Sequence, residues 1–543
     1  MKKGNLLGIG LLLAVIGSGL TWIRMEAEPE KEQAEKELHL GLTVEDNTFL
    51  PEGQNMSNNQ LLDLIREDLG IHIVYDWIYS KEEFARNIDM HIACDALPDA
   101  LLVEEEQYLQ MLEYGQLQPV TTLYEQEVSE QVKAFVESGG EQIIETVKTG
   151  GEMMAIPFPN LIASNINVMW IRQDWLDELG LEAPRTMEEI IGVSGQFVEK
   201  QMGGNGTIGI LGPGIEDSLT AVGKCCFGLG PIFSAFHAYP GYWITNEDGE
   251  LVYGSVQEEA RQALEVLAEL YQEGILDQEI FFRENIQEIL EEGKVGIFFG
   301  PWWAAERLKR DMIDNKSEWQ AYGAPLDAQG EYICTMPSNV NQYLVIHKKC
   351  RDPKSVIQVL NYGLQLEYGW REEERQEGPS IKAYPLGWEH DFANELEYTW
   401  IVLNNVMEGA EQEINYSRHK RLQSDIDNLK ELNRYPYDHF GIEDYKEEKE
   451  DSFIRLFGIL NGVRPIADQK YHPVYNEGAG IAGSGETKWK ALKTLEEQTY
   501  AKIILGQESI EAFDEFVGIW EENGSPTDNW CREREQFSNQ NEK

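Results

Sequence analysis

The sequence predicts an α/β protein built from more than one lobe. The chain has 543 residues, several times the size of a typical domain. Segments of β character alternate along it with amphipathic helical segments, and this alternation favours mostly parallel sheets. Hydrophobic residues make up 42% and aromatic residues 10%, which is enough to fill sizeable cores. Disorder is therefore excluded for most of the chain.

Strand candidates and helix start signals support this fold class in order along the chain. Thr186 with Glu189, and Ser255 with Glu258, have the spacing of a capping box and predict the starts of two helices. The second of these helices has an apolar face and a stop signal at Gly274. The predicted strands are His39 to Val44, Ile71 to Ile78, Ala100 to Val103, Asn167 to Arg172, Val295 to Gly300 and Tyr343 to His347.

The charge of the chain excludes nucleic acid as an expected partner. Lys and Arg number 45 against 96 Asp and Glu, which gives a formal net charge of −51. A polyanion would meet a strongly negative field, and no basic stripe interleaved with aromatic residues reverses that field locally. Most of these charges are expected to lie on a solvated surface.

The cysteines predict neither a disulfide framework nor a metal site. They lack CxxC spacing and form no ligand pattern with histidine. Cys225 and Cys226 lie in an apolar, glycine-rich stretch and are expected to be small buried hydrophobes. The six cysteines are Cys94, Cys225, Cys226, Cys334, Cys350 and Cys531.

The N-terminus has the order of residues found in an export signal. Lys2 and Lys3 precede an apolar run over 6–16, and small residues follow at 17–19. The apolar run can also be read as far as Ile23, which is long enough to remain as a membrane anchor. Residues 1–23 are thus predicted to be a signal peptide or a membrane anchor.

The body of the protein is expected on the extracellular face of the cytoplasmic membrane. Basic residues before the apolar run and acidic residues after it favour this orientation. Residues 24–37 have almost no apolar content and are predicted to be a charged tether. No cysteine that could accept a lipid follows the apolar run, because the first cysteine is Cys94.

No catalytic signature is found in the sequence. It contains no GxSxG elbow, no HExxH and no Walker A loop. Gly204, Gly206 and Gly209 spell GxGxxG, but they follow a helical stretch instead of a strand, so a surface turn is the preferred interpretation. No cofactor is predicted.

Aromatic residues next to predicted strands are the candidate binding residues. Trp302 and Trp303 follow the strand VGIFFG, Tyr242 and Trp243 lie in a turn-rich segment, and Trp170 lies in the strand near residue 167. Ligands of open α/β sheets bind beyond the carboxyl ends of strands, and a flat ring there offers a stacking surface. Core packing is the alternative for each of these side chains.

Two polar residues beside Trp170 are further candidates. Arg172 could donate hydrogen bonds to ligand hydroxyls. Asp174 could accept them, although a salt bridge at a helix start is the preferred interpretation for Asp174.

Four spaced segments in order resemble the extracellular solute-binding proteins of ATP-binding-cassette (ABC) sugar importers. The similarity is greatest to the branch that includes Gram-positive lipoproteins and alginate-oligosaccharide binders, and it covers about residues 38 to 530. The C-terminal TYAKIILGQESIEAFDEFVGIWEENG also resembles the closing helices of that branch. The four segments are GGEMMAIPFPN, MWIRQDWLDELGLEAPRTMEEI, GYWITNEDGELVYGSVQEEARQALEVLAELYQEGILDQEI and KVGIFFGPWWAAERLKRDM.

The resemblance implies a two-lobed, periplasmic-binding-protein-like fold of type II, with a multi-strand hinge and a ligand cleft between the lobes. It places 38–155 and 294–349 in the first lobe, and 156–293 and 350–543 in the second. It further implies a monomer that captures an oligosaccharide without chemistry and delivers it to ABC permease subunits in the membrane.

Two departures from the family affect what the resemblance implies. The lipidated cysteine usual in Gram-positive members is absent. The stretch KQMGGNGTIG keeps Asn205 and Gly206 of a loop that holds calcium in some members, but it lacks the Asp ligands, so no metal is expected there.

Other functions remain open from the sequence alone. An extracellular enzyme acting on carbohydrate could use a carboxylate pair in the same cleft, and a receptor of the same fold could bind peptides or other solutes. For a sugar ligand, the net charge of −51 favours a neutral or weakly charged saccharide.

Overall fold

The structure, a computed structural model, describes residues 36–523 with internal gaps at 46–47, 141, 216, 221–225, 247, 370–378, 380, 387–390, 411–420, 434–439 and 478–485. The predicted signal peptide or anchor and residues 24–35 of the predicted tether lie outside the described residues. The first strand begins at Lys36, so the last two residues of the predicted tether are part of a strand. Within the described part, no helix has the length and apolar character needed to cross a membrane.

All six predicted strands are present, together with further short strands. The strands are β1 (Lys36–Val44), β2 (Ile71–Ser80), β3 (Ala100–Val103), β4 (Lys148–Thr149), β5 (Glu152–Met153), β6 (Ile156–Pro159), β7 (Val168–Arg172), β8 (Ile208–Ile210), β9 (Trp243–Thr245), β10 (Leu251–Tyr253), β11 (Val295–Gly300), β12 (Trp319–Tyr322), β13 (Tyr332–Met336), β14 (Val340–Ile346) and β15 (Tyr471–Tyr475).

Helices occupy most of the connections between these strands. They are α1 (Gln60–Leu69), α2 (Lys81–Ala93), α3 (Glu105–Glu113), α4 (Thr121–Gln126), α5 (Glu130–Glu137), α6 (Ile162–Asn165), α7 (Gln173–Leu179), α8 (Met187–Glu199), α9 (Gly230–Ala235), α10 (Glu258–Gln272), α11 (Ile286–Glu291), α12 (Ala305–Arg310), α13 (Pro353–Gly369), α14 (Glu395–Met407), α15 (Leu422–Leu432), α16 (Glu450–Phe457), α17 (Arg464–Asp468), α18 (Glu486–Ile504) and α19 (Glu511–Glu522).

One of the two predicted capping boxes is correct. Thr186 caps α8, and the Glu189 carboxylate accepts from the Thr186 backbone N–H in return. The second prediction was wrong, because a 3₁₀ turn over Gly254–Val256 precedes α10 and the hydroxyl of Ser255 accepts a hydrogen bond from Gly241 N instead. The Ser255 hydroxyl, which the local pattern predicted to cap the helix, thus accepts a hydrogen bond from a backbone N–H elsewhere in the chain.

The first lobe contains a five-stranded sheet with the order β2-β1-β3-β14-β6. Strand β1 pairs in parallel with β2 and β3, whereas β14 runs antiparallel to β3 and β6. Its apolar core combines residues from 38–158 with residues from 340–392. The sheet is therefore mixed, and the prediction of mostly parallel sheets was wrong for its β14 side.

The second lobe contains a four-stranded sheet with the order β12-β7-β11-β8. Strand β7 is antiparallel to both β11 and β12, and β11 is parallel to β8. Separate apolar cores cover its two faces, one with the helices over 395–466 and the other with α10, α18 and α19. Mixed pairing again replaces the parallel sheet that was expected.

Strand pairing divides the chain between the lobes differently from the predicted boundaries. Strands β11 and β12 were placed in the first lobe, but both pair with β7 of the second. Strand β6 and helix α13 were placed in the second lobe, but β6 pairs with β14 and α13 packs in the first core. Hydrogen-bond partners decide lobe membership, and the sequence of an apolar strand does not specify its partner.

The chain crosses between the lobes at three places within the described residues. The crossings follow β6 at Asn160, connect β13 to β14 at 337–339, and precede α14 at 392–394. Asn160 donates from its backbone N–H to Asn339 O (3.0 Å) and from Nδ2 to Ser338 O (2.5 Å). Ile162 N donates to Ala393 O (2.9 Å), so the three segments lie side by side.

A buried ion pair connects α15 to α16 in the second lobe. The Arg455 guanidinium donates to both carboxylate oxygens of Asp425, each at 2.8 Å. The Asp425 side chain is 4% exposed. Bidentate geometry makes such a pair strong, and removing one partner leaves the other charge buried.

We expect Asp425→Ala to lower the free energy of unfolding by about 3–5 kcal/mol, because the largely buried Arg455 then loses both hydrogen bonds to its bidentate carboxylate partner. Urea unfolding of the variant and the unaltered protein measures the difference. Glu199→Ala is the control, since Glu199 pairs with Lys200 on the solvent-exposed surface, and we expect a much smaller change than for Asp425→Ala. Equal effects of the two substitutions would contradict the assignment.

Candidate functional site

The carboxyl ends of most strands in both sheets lie at the edges joined by the crossings. In the first sheet β1, β2, β3 and β6 run in the same direction, and β6 leads directly into the crossing at Asn160. In the second sheet β7 begins soon after this crossing, so the ends of β8, β11 and β12 lie at the same edge. Ligands bind beyond the carboxyl ends of strands in α/β folds, so this shared edge is the candidate site.

Trp302 lies at this edge, directly after β11. Its indole Nε1 donates to Ser164 Oγ (3.1 Å), and Ser164 belongs to α6, which follows the first crossing. The Arg455 guanidinium lies 6.0 Å from the centre of the Trp302 ring. The side chain is part-buried. Its orientation is therefore fixed by one hydrogen bond and one cation, while part of its surface stays accessible.

Two glycines of the π-helical turn Gly458–Val463 allow the close approach of Trp302. A Cβ on Gly462 would lie 2.7 Å from Trp302 Cα, and one on Gly458 would lie 2.9 Å from Trp302 O. Real Cβ contacts are not this short, so any larger residue would displace the 302–304 turn. Trp303, the next residue, is also part-buried and packs against the same core.

Tyr242 lies beside a second crossing. Its hydroxyl donates to Met336 O (3.1 Å), the last residue of β13 before the segment 337–339. Burial raises the pKa of Tyr242 above its ordinary value. The structure therefore places Trp302 near the first crossing and Tyr242 beside the second, and ligand binding by these two residues stays a prediction.

Trp170 and Trp243 are core residues, and their prediction as cleft residues was wrong. Trp170 is 0% exposed, stacks on Phe298 and Phe457, and donates Nε1 to the backbone oxygens of Gly300 and Pro301. Trp243 is 3% exposed and packs in an aromatic cluster with Tyr253, Trp489 and Trp520. Both side chains instead match the alternative interpretation, core packing, in which a large ring fills an apolar core.

Arg172 is also buried, which contradicts its prediction as a ligand-binding residue. It donates through Nε and Nη2 to the two carboxylate oxygens of Asp174 at 2.8 and 2.6 Å. Its guanidinium lies 4.5 Å from the Trp175 ring centre and 5.8 Å from that of Trp319. The structure confirms the salt bridge expected for Asp174 in the first turn of α7.

The facing edge of the first lobe carries polar groups that the sequence analysis missed. Glu45 follows β1 and forms ion pairs with Lys382 and Lys81, which hold the pKa of Glu45 at about 2. Glu105 begins α3 directly beyond β3, and burial raises its pKa. The carboxyl-end rule could have indicated both glutamates, but no local pattern connects Lys382 to Glu45 across more than 300 residues.

Glu397 is a shielded carboxyl close to the third crossing. It lies in the first turn of α14, and its Oε2 has no hydrogen-bond partner among the described residues. Loss of water, together with the negative charge of the neighbouring Glu395, raises the pKa of Glu397 to about 7. A carboxyl in this setting holds its proton at pH values where an exposed glutamate has lost it.

The groups at the lobe edges offer contact surfaces to a ligand. Aromatic rings from the second lobe and carboxylate and ammonium groups from the first lobe lie at the edges on either side of the crossings. Stacking on rings and hydrogen bonds to hydroxyls are the interactions such groups provide. Among the described residues, no cluster of three or more His, Cys, Asp or Glu side chains could hold a metal ion.

Comparison with known proteins identifies relatives of one kind. No family profile matches the chain. The fructooligosaccharide ABC transporter substrate-binding protein FusA of Streptococcus pneumoniae is 23% identical over 257 residues, which are 44% of this chain and 46% of that protein. The polygalacturonan/rhamnogalacturonan-binding protein YtcQ of Bacillus subtilis is 25% identical over 149 residues, which are 27% of this chain and 28% of that protein. The matched regions thus span less than half the length of these relatives.

The structural similarity to a solved protein extends over nearly the whole chain. A solved structure of S. pneumoniae FusA, an EF-hand mutant in complex with fructo-nystose, superposes with a TM-score of 0.56 at 15% identity, covering 93% of this chain and 99% of that one. The predicted two-lobed, periplasmic-binding-protein-like fold is confirmed. The predicted resemblance to extracellular solute-binding proteins of ABC importers is confirmed as well.

We expect the contribution of Glu397 to the free energy of unfolding to fall as pH rises from about 4.5 to about 7. Its pKa is about 7 in the folded chain against 4.5 for an ordinary glutamate, so the folded state binds more protons within this window. Glu397→Gln is neutral at all pH values. The variant should therefore be more stable than the unaltered protein above pH 7, by about 1–3 kcal/mol.

Urea unfolding at several pH values measures this difference. Glu408→Gln, at the exposed C-terminal end of the same helix, is the control and should leave the pH profile unchanged. If the free energy of unfolding of Glu397→Gln changed with pH in parallel with that of the unaltered protein, the raised pKa of Glu397 would be contradicted.

Proposed function

We propose that this chain is the extracellular substrate-binding component of an ABC transporter, and that it captures an oligosaccharide for import without chemical conversion. The observation that carries the proposal is the position of Trp302 and Trp303, at the edge where the carboxyl ends of both sheets meet beside the crossings. The two-lobed fold supports it, since lobes joined by adjacent crossing segments can close around a solute.

Fixed aromatic rings suit a sugar ligand. A pyranose or furanose face is apolar enough to pack on an indole, while its hydroxyls need hydrogen-bond partners at the rim. The bond from Trp302 Nε1 to Ser164 holds the ring before a ligand arrives, so little conformational entropy is lost on binding. FusA, a relative, is named for fructooligosaccharides, and this name supports the same class of ligand.

Binding without chemistry is the proposed activity. The lobe edges carry paired or shielded carboxylates, such as Glu45 with its two lysines, and a capture protein needs no reactive pair. The partners are then permease subunits in the membrane, and the N-terminal segment 1–23 exports or anchors the protein on the extracellular face. We propose that it acts as a monomer.

A neutral or weakly charged saccharide is the expected ligand. The net charge of −51 opposes the approach of a polyanion, whereas neutral hydroxyls are unaffected. YtcQ is named for binding polygalacturonan and rhamnogalacturonan, so uronate oligosaccharides are the informative comparison.

We expect neutral oligosaccharides to give a saturable change in tryptophan fluorescence and a negative heat-capacity change on binding, with the saccharide recovered intact. Titrations of purified protein with neutral oligosaccharides, uronate oligosaccharides and peptides measure this, and chromatography of the mixture checks the ligand. Shortened saccharide released with turnover would overturn binding without chemistry. A fluorescence response to peptides alone would contradict the proposal that the ligand is a saccharide. It would still agree with the proposal that the protein is a solute receptor.

We expect Trp303→Ala and Trp302→Ala each to weaken saccharide binding by about 1–3 kcal/mol, the loss typical of a removed aromatic anchor. Isothermal titration with the best neutral saccharide measures the change. Trp489→Ala is the matched control, because Trp489 is also part-buried in the second lobe but packs in the aromatic cluster around Trp243. Unchanged affinity with lowered thermal stability in both test variants would show that these tryptophans only fill the core.

A further inference from the structure

A two-stranded ribbon beside the second crossing carries an exposed aromatic residue, Tyr475. Strand β15 runs parallel to β13, and Tyr475 is paired with Met336 at the last position of both strands. Because β13 continues into the crossing at 337–339, the end of β15 lies at this crossing too. Tyr475 is 41% exposed. An accessible ring therefore lies at the lobe edge that holds the candidate site.

The side of the ribbon on which Tyr475 lies follows from the alternation of side chains along a strand. Tyr471 and Tyr475 are four residues apart, so both lie on one face of β15. Tyr471 packs against the second-lobe core that Trp302 and Trp303 also contact. Tyr475 therefore continues the face of this core to the lobe edge, where the strand ends.

Hydrogen bonds hold the end of β15 in place. Trp243 N donates to Asn476 Oδ1 (3.0 Å), and Glu477 N donates to Trp243 O (2.9 Å). Thr245 Oγ1 donates to Glu477 Oε2 (2.5 Å). The residues that directly follow Tyr475 thus fix its backbone before a ligand arrives, so little conformational entropy is lost on binding there.

Tyr475 and Trp302 lie beside two crossings that are in direct contact. Trp302 Nε1 donates to Ser164 Oγ shortly after the first crossing. Asn160 N donates to Asn339 O (3.0 Å), which joins the first crossing to the second. The two rings therefore occupy separate positions along one lobe edge.

We propose that Tyr475 contacts a further sugar residue of a longer saccharide whose first contacts are with Trp302 and Trp303, an inference that rests on the proposed function. A phenol ring stacks on the apolar face of a sugar, and its hydroxyl can donate or accept a hydrogen bond. Aromatic rings at separate positions along one edge suit an extended ligand better than a single sugar residue. The chain length of the ligand then determines whether Tyr475 contributes to binding.

Tyr475→Ala tests this contact through the length of the ligand. Isothermal titration measures the dissociation constants of a series of neutral oligosaccharides of increasing length. We expect the substitution to weaken binding of the longest saccharide about 5- to 30-fold, as for other removed aromatic anchors, and to leave the affinity for the shortest saccharide that binds unchanged. Tyr475→Phe keeps the ring and should retain most of the affinity for the longest saccharide.

Tyr114→Ala is the matched control. Tyr114 is 52% exposed and directly follows α3. The next residue, Gly115, accepts a hydrogen bond from Lys348, which follows β14. Because β14 begins at the second crossing, its end and Tyr114 lie at the opposite edge of the first sheet. The control removes the same side chain away from the crossings, and we expect unchanged affinity at every ligand length.

The outcomes separate this contact from the proposed function. If Tyr475→Ala binds every saccharide as the unaltered protein does, the contact is overturned and the proposed function stands. An equal loss at every length also overturns the contact, because a change in the hinge itself does not depend on the length of the ligand. If no saccharide binds to the unaltered protein, the contact and the proposed function both fail.

A measurement on the unaltered chain covers the case in which Tyr475→Ala does not fold. Hydroxyl-radical oxidation followed by mass spectrometry measures the accessibility of Tyr475. We expect saturation with the longest saccharide to protect Tyr475 more than saturation with the shortest one, while the oxidation of Tyr114 stays unchanged. Equal protection of Tyr475 by both saccharides would overturn the contact, because closure of the lobes would then account for the protection.

Discussion

The hydrogen bonds that hold the crossing segments side by side are the constraint on which the arrangement of the site depends. Asn160 bonds to the 337–339 segment through both its backbone and its side chain, and Ile162 bonds to Ala393 at the third crossing. Each lobe keeps its own apolar cores. Rotation of one lobe against the other can therefore be absorbed by a few residues without disturbing either interior. The same contact brings the carboxyl ends of the two sheets to facing edges.

Some aromatic residues of the second lobe are buried and position the backbone, whereas others stay partly accessible at the lobe edge. Trp170 fills the core beneath the end of β11 and bonds to the backbone of Gly300 and Pro301, which fixes where the chain leaves the strand. Trp302 follows from that point and is held from the side by Ser164. The Asp425 carboxylate orients Arg455, whose guanidinium lies near the Trp302 ring. A buried ion pair thus contributes to the orientation of a ring at the lobe edge.

Local charge at the lobe edge differs from the charge of the whole chain. Although the net charge is −51, Glu45 at the end of β1 is paired with Lys81 and Lys382. Glu397, near the third crossing, is only partly ionised near neutral pH because burial disfavours its charged form and raises its pKa to about 7. Pairing and burial therefore make these two carboxyls contribute less negative charge at the lobe edge than their number implies.

Much of the fold followed from local patterns. Six strands could be predicted, because runs such as VGIFFG combine β-branched and aromatic residues between turn signals. The capping box at Thr186 could be predicted because its partners are three residues apart. Lobe membership could not, since β11 joins β7 through pairing across more than 120 residues. An apolar strand fits either sheet equally well, and only the hydrogen bonds in the folded chain decide.

The candidate site likewise has features that the sequence predicts and features that only the folded chain decides. The sequence by itself determined that aromatic residues follow strand ends, and that Asp174 could pair at the start of a helix. Only the tertiary structure decided which rings stay accessible: Trp302 and Trp303 lie beyond the end of β11, whereas Trp170 points into the core from within β7. The physical reason is that burial depends on the elements that cover a side chain. Those elements, such as α6 and the turn at Gly458–Val463, come from distant parts of the chain.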